Sequence, residues 1–426
     1  MALFAAVACI TAHAHGILLG VNTHVTGNPL VQRPQLDRAR EIGFDSVRDA
    51  FLWRYAEPAK GIYEIPPSWD SFVHAARQRG IEPLVILCYG NPLYDGGDKP
   101  RSREAIEGFV RYATFVVKHF AGRVRYFEIW NEWDTHAGGF PSADAADYAK
   151  LFDAVLPAVK RADPRGVFLA SASAGGRNRW YEQLARLGIA ARADGVAVHP
   201  YVYPRKHFFW TSSASDEAER SARQLTEIER GMRRLSGGKT IPIYVTEIGW
   251  PTSSDASGVK EGQAASLAQR MLLVFSSLPY VRGVWWYDLV DDGPDGGNSQ
   301  DRFGLVRQDY AFKSAAFLVQ SIAPFIKSNQ STLNPATDLA SGVVVVNLGS
   351  PSEGSVIAWD ADAGDDAGKT RGRGYTVSCS ASGELVRGAR GRVRHDLLLR
   401  RAPAVFFRQN GICRRVQLTR KTLSRP

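Results

Sequence analysis

From residue 17 to residue 326, short β-branched or apolar runs alternate with longer amphipathic stretches. Alternation between these two periods marks parallel strands joined by crossover helices. Strands are expected at Ile17–Asn22, Ser46–Asp49, Leu84–Tyr89, Arg125–Asn131, Val167–Ala172, Gly195–His199, Pro242–Glu247 and Gly283–Asp288. Helices are expected at Gln35–Ile42, Ser68–Arg79, Ser102–Phe120, Ala145–Arg161, Arg179–Leu187, Ala218–Leu235, Gly262–Phe275 and Phe312–Ala323. Eight such units predict a closed (β/α)8 TIM barrel, because an open doubly wound sheet usually stops at about five to seven strands. No Gly-x-Gly-x-x-Gly follows the first strand, which argues against a dinucleotide fold. Closure gathers all the strand C-termini on one rim, and chemistry in this fold is found there.

After Ile326 the pattern changes to short strands between Gly-, Ser- and Asp-rich turns: Gly342–Leu348, Ser355–Trp359, Tyr375–Cys379, Asp396–Leu399 and Ala404–Arg408. This predicts a small C-terminal antiparallel β-sandwich. The expected organisation is therefore a signal-like segment over 1–16, a catalytic barrel over 17–326 and an accessory β-domain over 327–426. The apolar start, followed by Ala12-His13-Ala14, resembles a secretory signal without its positive charge, so an exported protein is expected. Cys379 and Cys413 are the one plausible disulfide pair, since Cys9 would leave with the signal and Cys88 sits in an apolar strand.

The formal charge of +10 changes little, because it sits in the tail. Arg387–Pro426 holds twelve Lys or Arg against Asp396 alone, leaving the rest close to neutral. A solvated basic surface is expected there, not a nucleic-acid site. No apolar run is long enough to span a bilayer. The acidic loop Asp291–Asp295 lacks calcium-loop spacing and there is no phosphate loop, so neither metal nor cofactor is expected, and the chain is expected to be a monomer.

Candidate chemistry lies at two strand tips. Glu132 in Trp130-Asn131-Glu132-Trp133 closes the fourth strand, and Glu247 in Thr246-Glu247-Ile248-Gly249-Trp250 closes the seventh. Carboxylates at these tips face each other across the barrel mouth. Glycosidic cleavage needs such a pair, one acid protonating the leaving oxygen while the other carboxylate meets the cation-like sugar carbon. For this division of labour Glu132 must titrate above Glu247. Glu128, four residues before Glu132, is expected deeper in the barrel as a structural ion-pair partner. Arg48 is expected to keep the nucleophile ionised, and Asn131 to donate to the sugar hydroxyl beside the reacting carbon. His199 and Tyr201 are candidates to donate to Glu247 or to sugar hydroxyls, and Asn22 and His24 to bind the sugar at the blocked end of the cleft. Seven tryptophans, Trp53, Trp130, Trp133, Trp210, Trp250, Trp285 and Trp286, fall at strand C-termini. Sugar faces stack on such planes, so a rim crowded with them favours endo cleavage of a polysaccharide, with the loop Pro200–Ser215 walling one side.

Trp130-Asn131-Glu132, His199-Pro200-Tyr201, Thr246-Glu247-Ile248-Gly249-Trp250 and Trp286-Tyr287-Asp288 together resemble the signature of glycoside hydrolase clan A. With Gly20-Val21-Asn22-Thr23-His24 and the appended β-domain, family 39 and its relatives that degrade bacterial exopolysaccharide are the nearest likeness. That resemblance implies a retaining mechanism with Glu132 as acid/base, Glu247 as nucleophile and Trp286 as the floor of the catalytic subsite, while either Trp285 or Trp286 fits the inward-pointing position; Trp133 and Trp250 are expected among the substrate contacts from their place on the tryptophan rim. A catalytically silent carbohydrate-binding barrel is the alternative, against which both intact glutamates speak.

Overall fold

The computed structural model describes residues 17–201 and 217–327, with seven strands beyond them. Eight parallel strands close into a barrel in sequence order. They are β1 (Leu18–Asn22), β2 (Ser46–Leu52), β3 (Glu82–Cys88), β4 (Tyr126–Ile129), β5 (Val167–Ala170), β6 (Gly195–Val198), β7 (Ile243–Ile248) and β8 (Val281–Trp286). Pairing of β1 with both β2 and β8 completes the ring. The principal surrounding helices are Pro29–Ile42, Pro67–Gln78, Arg103–Phe120, Ala145–Ala162, Asn178–Arg186, Glu217–Leu235, Glu261–Ser276 and Ser314–Lys327. Every expected strand and helix of the barrel is present.

Two boundaries moved for identifiable reasons. The first helix begins six residues earlier than expected, at Pro29, where proline's fixed φ suits the first turn and the Asn28 side chain accepts the Leu30 N–H at 3.2 Å. Strand β4 stops at Ile129, before the expected Asn131, because the backbone enters the left-handed region at Trp130 (φ 70°) and again at Glu132 (φ 48°). Each non-glycine residue there costs about 1–3 kcal/mol and persists only where its surroundings impose it. Glu132 is thus aimed by a turn rather than by strand alternation.

Among the described residues of the barrel the core divides in two. Outward strand residues and the helices form the large cluster, while Leu84, Tyr126, Leu169, Tyr244 and Trp285 fill the barrel interior. Trp285 enters because Gly20 and Gly283 leave space: a Cβ on either would lie 2.1 or 2.4 Å from its ring. Its Nε1 donates to Ser46 Oγ at 3.0 Å, fixing it at the floor of the barrel, below the catalytic rim. Trp286 is aligned with Val21 and Ile248 and belongs to the outer core with them.

Beyond the barrel, β9 (Ser331–Leu333), β10 (Val343–Gly349), β11 (Gly354–Asp360), β12 (Gly374–Cys379), β13 (Val393–Leu398), β14 (Ala404–Arg408) and β15 (Val416–Lys421) pair antiparallel in two sheets. Their orders are β14-β11-β10-β9 and β13-β12-β15. All five expected strands occur, with two additions. Strand β15 lies in the basic tail, where Arg and Lys obscured the alternation of Val416, Leu418 and Arg420. The signal-like segment, the Cys379–Cys413 pairing and most of the loop Pro200–Ser215, Trp210 included, lie outside the described residues. Among the described residues no helix is long and apolar enough to cross a membrane.

Candidate active site

The rim is organised around one guanidinium. Arg48 is aligned with Asn22 on the neighbouring strand and is only 2% exposed. Its Nε donates to Glu128 Oε2 at 3.0 Å, its Nη1 to Asn22 Oδ1 at 2.8 Å and Glu247 Oε1 at 2.7 Å, and its Nη2 to Asn131 Oδ1 at 2.8 Å. A rigid planar fork of donors is suited to hold four acceptors at once. Burying two carboxylates against one cation is tolerable only with such complete hydrogen bonding. Arg48 therefore meets the nucleophile candidate as expected, and Glu128 is its buried ion-pair partner, also as expected.

Glu132 and Glu247 converge from opposite sides of the mouth. A carboxylate oxygen of each, together with a ring nitrogen of His199, lies within 4.8 Å of the others. His199 Nδ1 is 2.7 Å from Glu132 Oε1 and 3.6 Å from Glu247 Oε2, and Nε2 is 3.0 Å from Thr246 Oγ1. Tyr201 donates to Glu247 Oε2 at 3.1 Å, and Thr135 Oγ1 lies 3.2 Å from Glu132 Oε2. Burial pushes the Glu247 carboxyl up, but the positive charges of His199 and Arg48 and the hydrogen bonds from Arg48 and Tyr201 prevail and hold it below its ordinary value. Burial pushes His199 down, yet the charge of Glu247 and its bond to Glu132 outweigh this and raise it.

Several expected sugar contacts prove to be braces. Asn22 is buried, spends both amide N–H groups on the Thr246 and Trp286 carbonyls and binds Arg48 through its oxygen, and so has no N–H left for a ligand. His199 is fully buried and bonds Glu132 rather than Glu247 or a sugar, because the turn after β4 brings Glu132 closer. Asn131 gives one N–H to Tyr89 Oη at 2.9 Å and retains another. Trp133 is fully buried, donates to the Asp144 carbonyl and meets Trp130 edge to face. Trp250 and Trp286 are each 1% exposed. These three offer no face to a sugar: indoles this large are taken up by the space between barrel and helices. Trp286 is accordingly no subsite floor, and Trp53, Trp130 and Trp285 are buried too. His24 alone of the expected contacts stays half exposed, its Nδ1 2.9 Å from Asp292 Oδ1.

Sequence reasoning assigned no role to Tyr89 or Thr135, nor to Thr246 and Tyr287, although these two lie within the quoted motifs. The Tyr287 hydroxyl is pushed up by burial and by the charges of Asp288 and Glu247, and its ring meets His24 and Phe303 edge to face. Strand-end position is the signal that would have found Tyr89 and Tyr287. Other acids near the rim are bound to protein donors: Asp49 meets Thr23, Val25 and Thr26, Asp134 meets Ser173, and Asp291 meets Lys313.

The sequence model of Glycosyl hydrolases family 39 matches residues 107–361, a span that contains both glutamates. The chain belongs to this family. A solved structure of a family 39 glycoside hydrolase from the gut symbiont Bacteroides cellulosilyticus WH2 superposes with a TM-score of 0.68 at 23% identity, over 91% of this chain and 80% of that one. A GH5_18 protein from Streptomyces cattleya, in complex with GlcNAc, gives 0.63 at 19% identity over 76% and 83%. At these identities the likenesses establish the barrel fold. The 6-phospho-beta-galactosidase of Streptococcus mutans serotype c is 32% identical over 130 residues, 28% of this chain and 27% of that protein. Putative beta-glucosidase 41 of Arabidopsis thaliana is 29% identical over 104 residues, 23% and 19% respectively. The chain thus spans about a fifth to a quarter of the length of these curated relatives.

Proposed function

We propose that this family 39 member is a retaining glycoside hydrolase acting on a bacterial exopolysaccharide, with Glu247 as nucleophile and Glu132 as acid/base. The observation that carries the reading is the approach of the two carboxylates to within 4.8 Å. Retaining pairs stand about 5–5.5 Å apart and inverting pairs about 6.5–9.5 Å, to admit a water. Glu247 attacks the anomeric carbon while Glu132 protonates the departing oxygen. The resulting glycosyl-enzyme is opened by a water that gives its proton to Glu132. His199 Nδ1–H meets the Glu132 carboxylate formed in the first step, and Tyr201 and Arg48 keep Glu247 ionised for attack.

An accessory β-sandwich over residues 327–426 and export from the cytoplasm complete the proposal; the two antiparallel sheets and the signal-like start support them. The endo mode expected from a tryptophan rim loses that support, since six of the seven tryptophans are buried. One experiment tests both issues. Oligosaccharides cut from bacterial exopolysaccharides are followed by proton NMR as they form. The first products are expected to keep the anomeric configuration of the substrate, and an inverted anomer defeats double displacement. A ladder of product lengths marks endo action, and single sugars mark exo action.

Glu128 supplies a second test. Its negative charge shares Arg48 with Glu247, so it works against ionisation of the nucleophile. In Glu128→Gln the amide oxygen still accepts from Arg48, but the competing charge is gone. Glu247 then ionises more readily, and the acid limb of kcat/KM moves to lower pH. A shift to higher pH, or none, would show that Glu128 does not set the charge felt by Glu247.

A further inference from the structure

We propose that His24, Asp288 and Asp292 form a binding site for a divalent transition cation of the zinc class, at the seam where β1 and β8 close the barrel. The inference goes beyond the hydrolase reading and stands on different residues. One nitrogen and two carboxylate oxygens from these side chains lie within 4.8 Å of one another. His24 Nδ1 is 2.9 Å from Asp292 Oδ1 and 3.8 Å from Asp288 Oδ2. Ligands at about 2.0–2.2 Å from zinc sit about 3.0–3.5 Å apart around the ion, so His24 already stands within a few tenths of an ångström of that spacing from each carboxylate.

The second observation is Asp288 itself. Its side chain is 2% exposed, and its Oδ1 receives no hydrogen bond. A buried carboxylate oxygen without a donor is costly and marks a missing partner. The residue lines a cavity of about 340 Å³ together with Asn22, His24 and Asp292, which leaves room for waters to fill the remaining coordination positions. His24 and Asp292 are exposed enough to admit an ion from solvent. An imidazole with two carboxylates favours a transition ion over calcium, which takes six to eight oxygens. No local spacing brings these side chains together, because His24 and Asp292 stand 268 positions apart.

A second trio, Glu132, His199 and Glu247, has comparable spacing but is closed to a cation. Both Glu247 oxygens already accept hydrogen bonds, and the Arg48 guanidinium stands at 2.7 Å. This contrast makes the test specific. The full-length chain, stripped with chelator, is titrated with zinc chloride by calorimetry and by thermal unfolding. One zinc per chain and a raised Tm are expected. His24→Gln and Asp292→Asn are expected to weaken this site at least about 100-fold, more than the loss of an outer-shell contact does. Glu247→Gln is expected to bind zinc as the parent does. Zinc binding lost in Glu247→Gln but kept in Asp292→Asn overturns the proposal, as does the absence of a one-to-one site in the parent. Either failure leaves the hydrolase reading intact, because that reading is judged by product configuration and not by zinc.

Discussion

Glu247→Gln is expected to lower kcat by about 10⁴-fold or more, roughly 5.5 kcal/mol of transition-state stabilisation, with the chain still folded. The amide keeps the shape of the carboxylate and can accept from Arg48 and Tyr201, the two donors now fixed on its oxygens. What it loses is the anionic oxygen that forms the bond to sugar. No neighbouring group can replace it, since Glu128 is held beneath Arg48 and fully buried, and Glu132 is needed on the leaving-group side. Turnover of an aryl glycoside and of polysaccharide, measured beside the Tm, checks this. Activity within tenfold of the parent at an unchanged Tm would remove Glu247 from the nucleophile's role.

Glu132→Gln is expected to cost about 10²–10⁴-fold on natural substrates, the usual range for one general acid or base. The pattern matters more than the size. A nitrophenol leaving group needs no proton, so the first step survives with it. The second step still needs a base, so the glycosyl-enzyme should accumulate after a burst of nitrophenol equal to the enzyme present. Intact mass measured during the burst should show one added sugar on the chain. Azide, which needs no base, should restore turnover and yield a glycosyl azide of retained configuration. Equal losses on activated and natural substrates, with no adduct and no rescue, would show that Glu132 transfers no proton.

The two glutamates were legible because each follows from a local pattern: a strand of known register in the barrel order, ending in a carboxylate. Arg48 and Glu128 were legible for the same reason, as they lie on inward positions of β2 and β4. Tryptophan roles were not. Aromatic residues at strand ends satisfy the same sequence pattern whether they face a cleft or a helix, and Trp285 was drawn inward by two glycines on separate strands. Asn22 and His199 likewise had donors and acceptors suited to sugar, but those were claimed by protein groups more than twenty positions away.

By itself, then, the chain of residues determined the number and order of strands, the side of the barrel that carries chemistry, and the acids placed there, because periodicity and strand termination are properties of neighbouring residues. Tertiary structure alone decided that Glu132 is aimed by left-handed turns at Trp130 and Glu132, that the two carboxylates meet within 4.8 Å, and that His24 joins Asp288 and Asp292. Those outcomes depend on distances between segments far apart in the chain, which closure of the barrel sets and no local pattern encodes.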